Sequence, residues 1–367
     1  MAIDFEIRQL ADLNALQDVR GLSRVRIDAD GLLRGLLPQY ALRWGARALE
    51  PDGVMEVVAR SSRDNMAFIG RRWPFQALVQ VAAKCTDDLG VLDVCDLSMR
   101  HLQFRRTAAA PVLPGLWSAG VIFGGSEAER PLLARCLASL LAQRPVADGG
   151  QLMVCGPRHA AASLQAEFPS IDYLPYDQPS SAGRFLVGHK KNHLLRHAKN
   201  ERVLVCHARI ELHPEALQRL PTHFDLITPA VFIDGPRGPL PYLDLFPLHL
   251  REGDPSARGA KPALHYDRRG WLRQLANKAP YIDGGLFAVR RSLALQCSLS
   301  ETIAWGESED VEWARRLLAA GRLVELSTRA TARSQTCKTP GYQRYGHHPI
   351  YRWTTGVKRV LSGAWSG

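Results

Sequence analysis

The sequence has no stretch approaching about 18 consecutive apolar residues, the length a helix needs to cross a bilayer, so no transmembrane helix is expected. Its opening, MAIDFEIRQLADL, carries early acids and lacks an apolar h-region. No secretory leader is expected, and the expected location is the cytoplasm. Cysteine is sparse: Cys85, Cys95, Cys136, Cys155, Cys206, Cys297 and Cys337 are scattered, odd in number and never in a CxxC pair. That argues against a disulfide framework and a zinc site and leaves buried thiols as the default. Acid is missing locally. Residues 326–367 hold seven Lys and Arg and not one Asp or Glu, whereas residues 1–112 are near balance at 15 against 14. Much of the net charge of +11 therefore sits in the C-terminal tail, which points to an acidic surface or ligand met there.

What is present suits a folded protein. A hydrophobic content of 46% and a charged content of 23% allow a real core, and 367 residues are enough for two domains or one large domain with an appendage. Residues 1–112 read as a small α/β piece. It has a strand at Val25–Ile27, a helix over Leu36–Leu49, a turn at Glu50–Gly53 and a strand at Val54–Val58. A helix over Phe75–Lys84 and strands at Gly90–Cys95 and Leu102–Arg105 complete it. Residues 108–115, AAAPVLPG, have no periodicity and mark a boundary. From Trp117 onward strands and helices alternate. The strands are Ser118–Gly125, Leu152–Gly156, Asp172–Tyr176 and Arg202–Cys206; one helix spans Arg130–Gln143 and another opens at Lys190. Such alternation implies a mostly parallel sheet covered on both faces, with ligands beyond the strands' C-terminal ends.

The richest stretch is Tyr281–Leu318. Asp283-Gly284-Gly285 leads into the apolar run Leu286–Val289. Trp305-Gly306-Glu307-Ser308-Glu309-Asp310 then opens a helix with Val311, Ala314, Leu317 and Leu318 at helical spacing, and Gly321 stands where a left-handed cap would end it. Three carboxylates in four residues are like charges held close. Backbone N–H groups at a helix start stabilise one or two of them, and crowding raises carboxylate pKa, which suits a general base. The plain alternative is an acidic cap on a surface helix.

Two resemblances follow from these motifs. Residues 1–112, with the LEPDG turn between helix and strand, resemble the C-terminal half of class I methyltransferases. The glycine-rich turn that holds S-adenosylmethionine in those enzymes has no counterpart here, which implies a truncated accessory or docking module. From Trp117 to Thr336 the chain resembles the GT-A fold of nucleotide-sugar glycosyltransferases, in particular the large inverting family of bacterial polysaccharide synthesis. The pieces are RCLASLLAQ, GRFLVGHKKNHLLRHAKNERVLVCHARIELHPEAL, YIDGGLFAVRRSL and WGESEDVEWARRLLAAG, in that family's order. The resemblance implies a Rossmann-like, mostly parallel sheet with helices on both faces over 113–340, preceded by the α/β accessory domain 1–112 and followed by a basic aromatic tail 341–367. It implies Asp310 as catalytic base, with Glu309 and Glu307 on substrate hydroxyls. It places Phe123, Gly124, Lys190, Lys191, Asn192, His207 and Arg209 around the donor, and Asp283, Gly284, Gly285 and Trp305 around the acceptor or sugar.

One departure matters. Where that family has an Asp-x-Asp metal site, this sequence reads Cys206-His207-Ala208-Arg209, without the two carboxylates that hold Mg²⁺ or Mn²⁺. Three readings are open. His207 ligates a metal with other groups; or Arg209, Lys190 and Lys191 neutralise the diphosphate directly, the reading taken first; or the domain is degenerate. The expected partners are a nucleotide-diphosphate sugar and a glycan or lipid-linked acceptor. The tail interleaves Tyr345, Tyr351, Trp353 and Trp365 with Arg352, Lys358 and Arg359, which suits a peripheral position on an anionic membrane face. Residues 232–280 are expected to be a variable loop with Tyr242, Tyr266 and Trp271 available for sugar stacking. The competing classes are a non-catalytic carbohydrate-binding subunit and a basic RNA-binding protein; no RNA-binding signature is present and nucleic acid is not an expected partner.

Overall fold

Along the central strands successive apolar side chains enter two different cores, the consequence of a period of two in a sheet covered on both faces. The structure, a computed structural model, describes residues 4–8, 12, 16, 19–29, 38–59, 75–85, 91–96, 98–107, 115–177, 185–242, 282–337 and 343–344. Within these, Leu204 and Cys206 face one cluster while Val203 and Val205 face the other, and Leu286 and Ala288 alternate in the same way with Phe287 and Val289.

These strands belong to a nine-stranded sheet. It comprises β6 (Trp117–Ile122), β7 (Gln151–Gly156), β8 (Asp172–Pro175), β9 (Arg202–His207), β10 (Ile210–Leu212), β11 (Leu226–Gly235), β12 (Gly238–Pro241), β13 (Leu286–Arg290) and β14 (Val324–Ser334). The order is β10-β14-β11-β13-β9-β6-β7-β8, with β12 on β11. β6, β7, β8, β9, β11 and β14 run one way and β10, β12 and β13 the other, so the sheet is mostly parallel in direction. The architecture is α/β, as expected.

A five-stranded sheet precedes it: β1 (Phe5–Ile7), β2 (Leu22–Asp28), β3 (Leu49–Val58), β4 (Val91–Asp96) and β5 (His101–Arg105), in the order β1-β2-β3-β5-β4. The last strand inserts antiparallel between β3 and β4. Helices α1 (Pro38–Ala48) and α2 (Phe75–Ala83) accompany this sheet. The larger sheet carries α3 (Arg130–Leu141), α4 (Arg144–Ala147), α5 (Ala161–Glu167), α6 (Val187–His197), α7 (Arg291–Gln296) and α8 (Glu309–Ala319). Leu133, Cys136, Leu137 and Leu140 of α3 cover one face; Leu194 and Leu195 of α6 and Trp313 and Leu317 of α8 cover the other.

The two sheets share the second of these cores. α1 lies against the start of β14 and the end of α8: the Tyr40 hydroxyl donates to the Val324 carbonyl at 2.6 Å, and Arg43 Nε donates to the Gly321 carbonyl at 2.7 Å. Beneath them Asp225, 1% exposed, takes Arg290 at 2.7 Å and Arg43 and Arg47 each at 3.6 Å.

Four local expectations change. The Glu50–Gly53 turn is part of β3; Asp52 adopts φ 64°, a conformation Asp tolerates, while its N–H still donates to the Arg106 carbonyl at 2.8 Å. α6 opens at Val187, so Lys190 and Lys191 lie inside the helix and are buried. The expected loop at 232–280 begins as the β11–β12 hairpin, and residues 243–281, with Tyr266 and Trp271, lie outside the described residues. α5 was not anticipated. The boundary at 108–114, and the tail aromatics with Arg352, Lys358 and Arg359, also lie outside them.

Candidate functional site

Because β6 and β9 are parallel, Phe123 and His207 leave the sheet at the same rim. β13 runs the opposite way, so its start arrives there too: Leu286 pairs with Cys206, and the His207 N–H donates to the Gly285 carbonyl at 3.0 Å. The topology alone thus brings the Asp283-Gly284-Gly285 turn to the end of β9. Asp283 receives the Gly285 N–H on Oδ1 at 2.7 Å, an Asx-type closure of the turn.

The glycine pair is needed for space. A Cβ on Gly284 would lie 2.6 Å from Asp310 Oδ2, and one on Gly285 would lie 2.6 Å from Arg209 Nη2. Neither has a positive φ; the positive φ values nearby belong to Gly306 and Ser308, which bend the chain into α8. A carboxylate and a guanidinium are therefore packed against adjacent residues of one turn.

The acidic helix start divides in three. Asp310 accepts the Gly284 N–H on Oδ2 at 2.9 Å and its neighbour Val311's N–H on Oδ1 at 2.8 Å. Burial pushes its pKa above the usual carboxylate range; the charge of Glu309 adds to this, and Lys191 opposes it. Glu309 is buried and paired with Lys191 Nζ at 2.6 Å. Glu307 is exposed and turns back to accept the Ala304 N–H at 3.0 Å. Of the three, Asp310 bonds the turn.

The expected donor side is redistributed as well. Lys191 is fully buried over the Phe287 ring, committed to Glu309. Lys190 Nζ donates to the Phe123 carbonyl at 2.8 Å and so holds the loop after β6; burial lowers its pKa. Asn192 is a clip, donating to Leu299 O and Glu301 Oε1, both at 2.9 Å, and accepting the Leu299 N–H at 3.1 Å. Arg209 lies beside His207, with Nη1 2.7 Å from Nδ1, and its guanidinium carbon stands 5.9 Å from the centroid of the Tyr242 ring. Tyr242 is thus packing, 8% exposed. Trp305 is 51% exposed on the loop before α8.

One residue escaped the sequence reading. Glu129, in the turn before α3, accepts the Gly124 N–H at 2.7 Å, and Lys190 and Arg209 both act on its charge. Burial nevertheless raises its pKa. In the sequence it was one acid in a polar stretch; only the return of the chain over Gly124 singles it out.

Among the described residues the groups at this rim do not form a divalent-cation site. His207 Nδ1 is taken up by the Arg209 guanidinium, whose charge repels a metal at that point, and among the described residues no group of three or more His, Cys, Asp or Glu side chains could hold one. That arrangement counts against a metal held through His207 Nδ1.

No family model matches the chain, and no curated protein matches it. Among solved structures it is similar to that of GalNAc-T7 with UDP, GalNAc and Mn²⁺, at 11% identity and a TM-score of 0.42, over 70% of this chain and 48% of that one. The chain thus spans about half the length of that protein.

Proposed function

We propose that this protein is a nucleotide-sugar glycosyltransferase of GT-A type, acting with inversion on a glycan or lipid-linked glycan acceptor in cell-surface polysaccharide synthesis. The observation that carries the reading is the pairing of Asp310 and Arg209 across the Gly284-Gly285 turn, at the rim where parallel strands end. The one is a carboxylate of raised pKa, suited to accept a proton; the other is a fixed cation suited to a leaving diphosphate. In the step proposed, Asp310 takes the proton of an acceptor hydroxyl, that oxygen attacks the donor's anomeric carbon, and the bond to the diphosphate breaks with its electron pair going to the departing phosphate oxygen. Arg209, with Lys190 behind it, balances the charge that develops, without a metal. Lys191 and Glu309 form a buried pair that fixes the start of α8 and so aims Asp310. Trp305 offers an exposed ring to a sugar face.

In this reading 113–340 is the catalytic unit, 1–112 a methyltransferase-like accessory unit without transfer activity of its own, and 341–367 a contact to the anionic inner membrane face. The inserted last strand β5 and the order of elements support the accessory reading. Among the described residues no helix is long and apolar enough to cross a membrane.

The test is donor binding by thermal shift across uridine, guanosine, thymidine and cytidine diphosphate sugars, with and without EDTA, followed by transfer assays. A shift of a few kcal/mol equivalent is expected at saturating donor, surviving EDTA. Asp310→Asn is expected to keep that shift and lose transfer by about 10²–10⁴-fold. Donor binding with transfer unaffected in Asp310→Asn would remove the base assignment. Absence of any shift would favour a carbohydrate-binding subunit.

A further inference from the structure

The loop that leaves β6 already holds an anion of the protein's own. One peptide group, the Phe123 carbonyl with the Gly124 N–H, is engaged at both ends. Lys190 Nζ donates to its oxygen at 2.8 Å, and its N–H donates to Glu129 Oε2 at 2.7 Å. A cation on the carbonyl polarises the peptide and makes its N–H a stronger donor to a carboxylate. A Cβ at Gly124 would stand 2.6 Å from that carboxylate oxygen, so glycine is what lets Glu129 come down onto the N–H. The Gly125 N–H acts on the same carboxylate.

The register of the sheet sets a second cation beside this loop. Ile122 pairs with His207 in the parallel strands β6 and β9, and the Ala208 N–H still donates to the Ile122 carbonyl at 3.1 Å. Gly124 and Arg209, each two residues beyond that pair, therefore leave the rim side by side, and the charge of Arg209, like that of Lys190, acts on Glu129. Arg209 is held from its other side, with Nη1 2.7 Å from His207 Nδ1 and its guanidinium carbon 5.9 Å from the Tyr242 ring centroid.

The balance at Glu129 favours release. It is half-buried, and burial raises its pKa in spite of the two cations and the two N–H groups. Its surroundings thus favour the charged carboxylate less than water does, and little is lost when the charge moves out to solvent.

We propose that Glu129 is an internal competitor for the donor's phosphate: its carboxylate occupies the anion position formed by the Gly124 N–H, Arg209 and Lys190, and a ligand binds by displacing it into solvent. The inference rests on the reading of this rim as a diphosphate site, and it adds a selection by charge. A ligand with a single carboxylate replaces like with like. A diphosphate brings more charge and more acceptor oxygens to the same donors. The site is thereby closed to singly charged anions and open to a nucleoside diphosphate or its sugar. Apparent affinity is lowered by the fraction of molecules in which the position is taken, so removing the competitor raises it.

Calorimetric titration of the full chain with pyrophosphate at fixed ionic strength tests this in the wild type, Glu129→Gln, Glu129→Asp, and Glu129→Gln combined with Arg209→Ala. Glu129→Gln removes the charge and keeps the shape, whereas Glu129→Asp keeps the charge and withdraws it from the Gly124 N–H. Both are expected to bind pyrophosphate about tenfold more tightly than the wild type, and the gain to vanish when Arg209→Ala is added. Unliganded melting of the single variants, expected to be unchanged, shows that their fold is intact. Unchanged or weaker binding in Glu129→Gln would make the residue a support of the loop or a direct ligand of the substrate, and would overturn the proposal. A gain in Glu129→Gln without one in Glu129→Asp would reduce the effect to background repulsion and overturn it too, as would pyrophosphate binding to none of the proteins. Tighter pyrophosphate binding in both single variants, with no nucleotide-diphosphate sugar bound, would keep the exchange and remove the transfer reading. Transfer from a nucleotide sugar whose affinity neither variant changes would keep the transfer reading and overturn the exchange.

Discussion

The two carboxylates that open α8 are neighbours in the chain but meet different surroundings. Glu309 is neutralised by Lys191, whereas Asp310 is half-buried and takes backbone N–H partners on its oxygens. Its folded pKa is therefore raised. A carboxyl raised on folding binds its proton more tightly in the folded state, so its contribution to stability grows as pH falls through the folded pKa, while transfer, which needs the carboxylate, declines over the same window. Rate and denaturant-midpoint profiles against pH are expected to show these opposite trends, and the Asp310→Asn profile to lack the part due to this residue. The glycines make a second prediction at this scale. Gly284→Ala would place a Cβ 3.1 Å from the Asp310 Cβ as well as 2.6 Å from its oxygen, so the start of α8 or the turn must move. The expected cost is about 1–3 kcal/mol in chemical denaturation, with turnover reduced more than donor affinity. Gly285→Ala meets the end of the Arg209 side chain, which can swing. Donor affinity is expected to suffer there more than turnover.

At the scale of elements, the junction of α1 with β14 depends on charge as much as on packing. Burial would raise the pKa of Asp225, but Arg43, Arg47 and Arg290 outweigh it and hold the carboxyl below its usual range, with the Leu323 N–H adding a hydrogen bond at 2.9 Å. The stability tied to this group is complete above the unfolded carboxylate pKa and is lost as pH falls through the depressed folded value. Asp225→Asn keeps the volume and removes the charge, leaving buried arginines short of a counterion. Urea titration is expected to show a loss of about 3–5 kcal/mol. α8, by contrast, is defined by local signals at its end. Gly321 at φ 78°, with the Arg322 N–H donating to the Leu317 carbonyl at 2.9 Å and the Gly321 N–H to the Leu318 carbonyl at 3.0 Å, is a Schellman cap, and it stands where the glycine in the sequence placed it.

For the whole molecule, the shared core makes the first sheet part of the larger fold's stability. Ile7, Val25, Tyr40 and Trp44 belong to the same buried cluster as Phe287, Trp313 and Leu317. Removing residues 1–107 would uncover that cluster and leave Asp225 without Arg43 and Arg47. The truncated chain is expected to lose its cooperative thermal transition or to aggregate on expression; a sharp transition near the full chain's midpoint would show the larger sheet to be independent of the first.

The sequence by itself determined the elements and their class. Apolar alternation, helical spacing and the glycines and prolines between them act over a few residues, so the strands from β6 to β9, the α3 stripe and the Gly321 cap could be read from the chain. Asp310 and the glycine turn were each legible as motifs of one stretch, but their contact comes from the fold. Tertiary structure decided which charges meet. Lys190, Lys191 and Asn192 read as a basic helix start facing a ligand, yet folding buries them against Phe123, Glu309 and Leu299. Glu129 folds back on Gly124 five residues before it, while Arg209 at Gly285 and the arginines of the junction are brought together across tens to hundreds of residues. A short-range pattern states which side chains are apolar; whether a charge ends as a structural pair or faces a ligand depends on the partner that the sheet order sets opposite it.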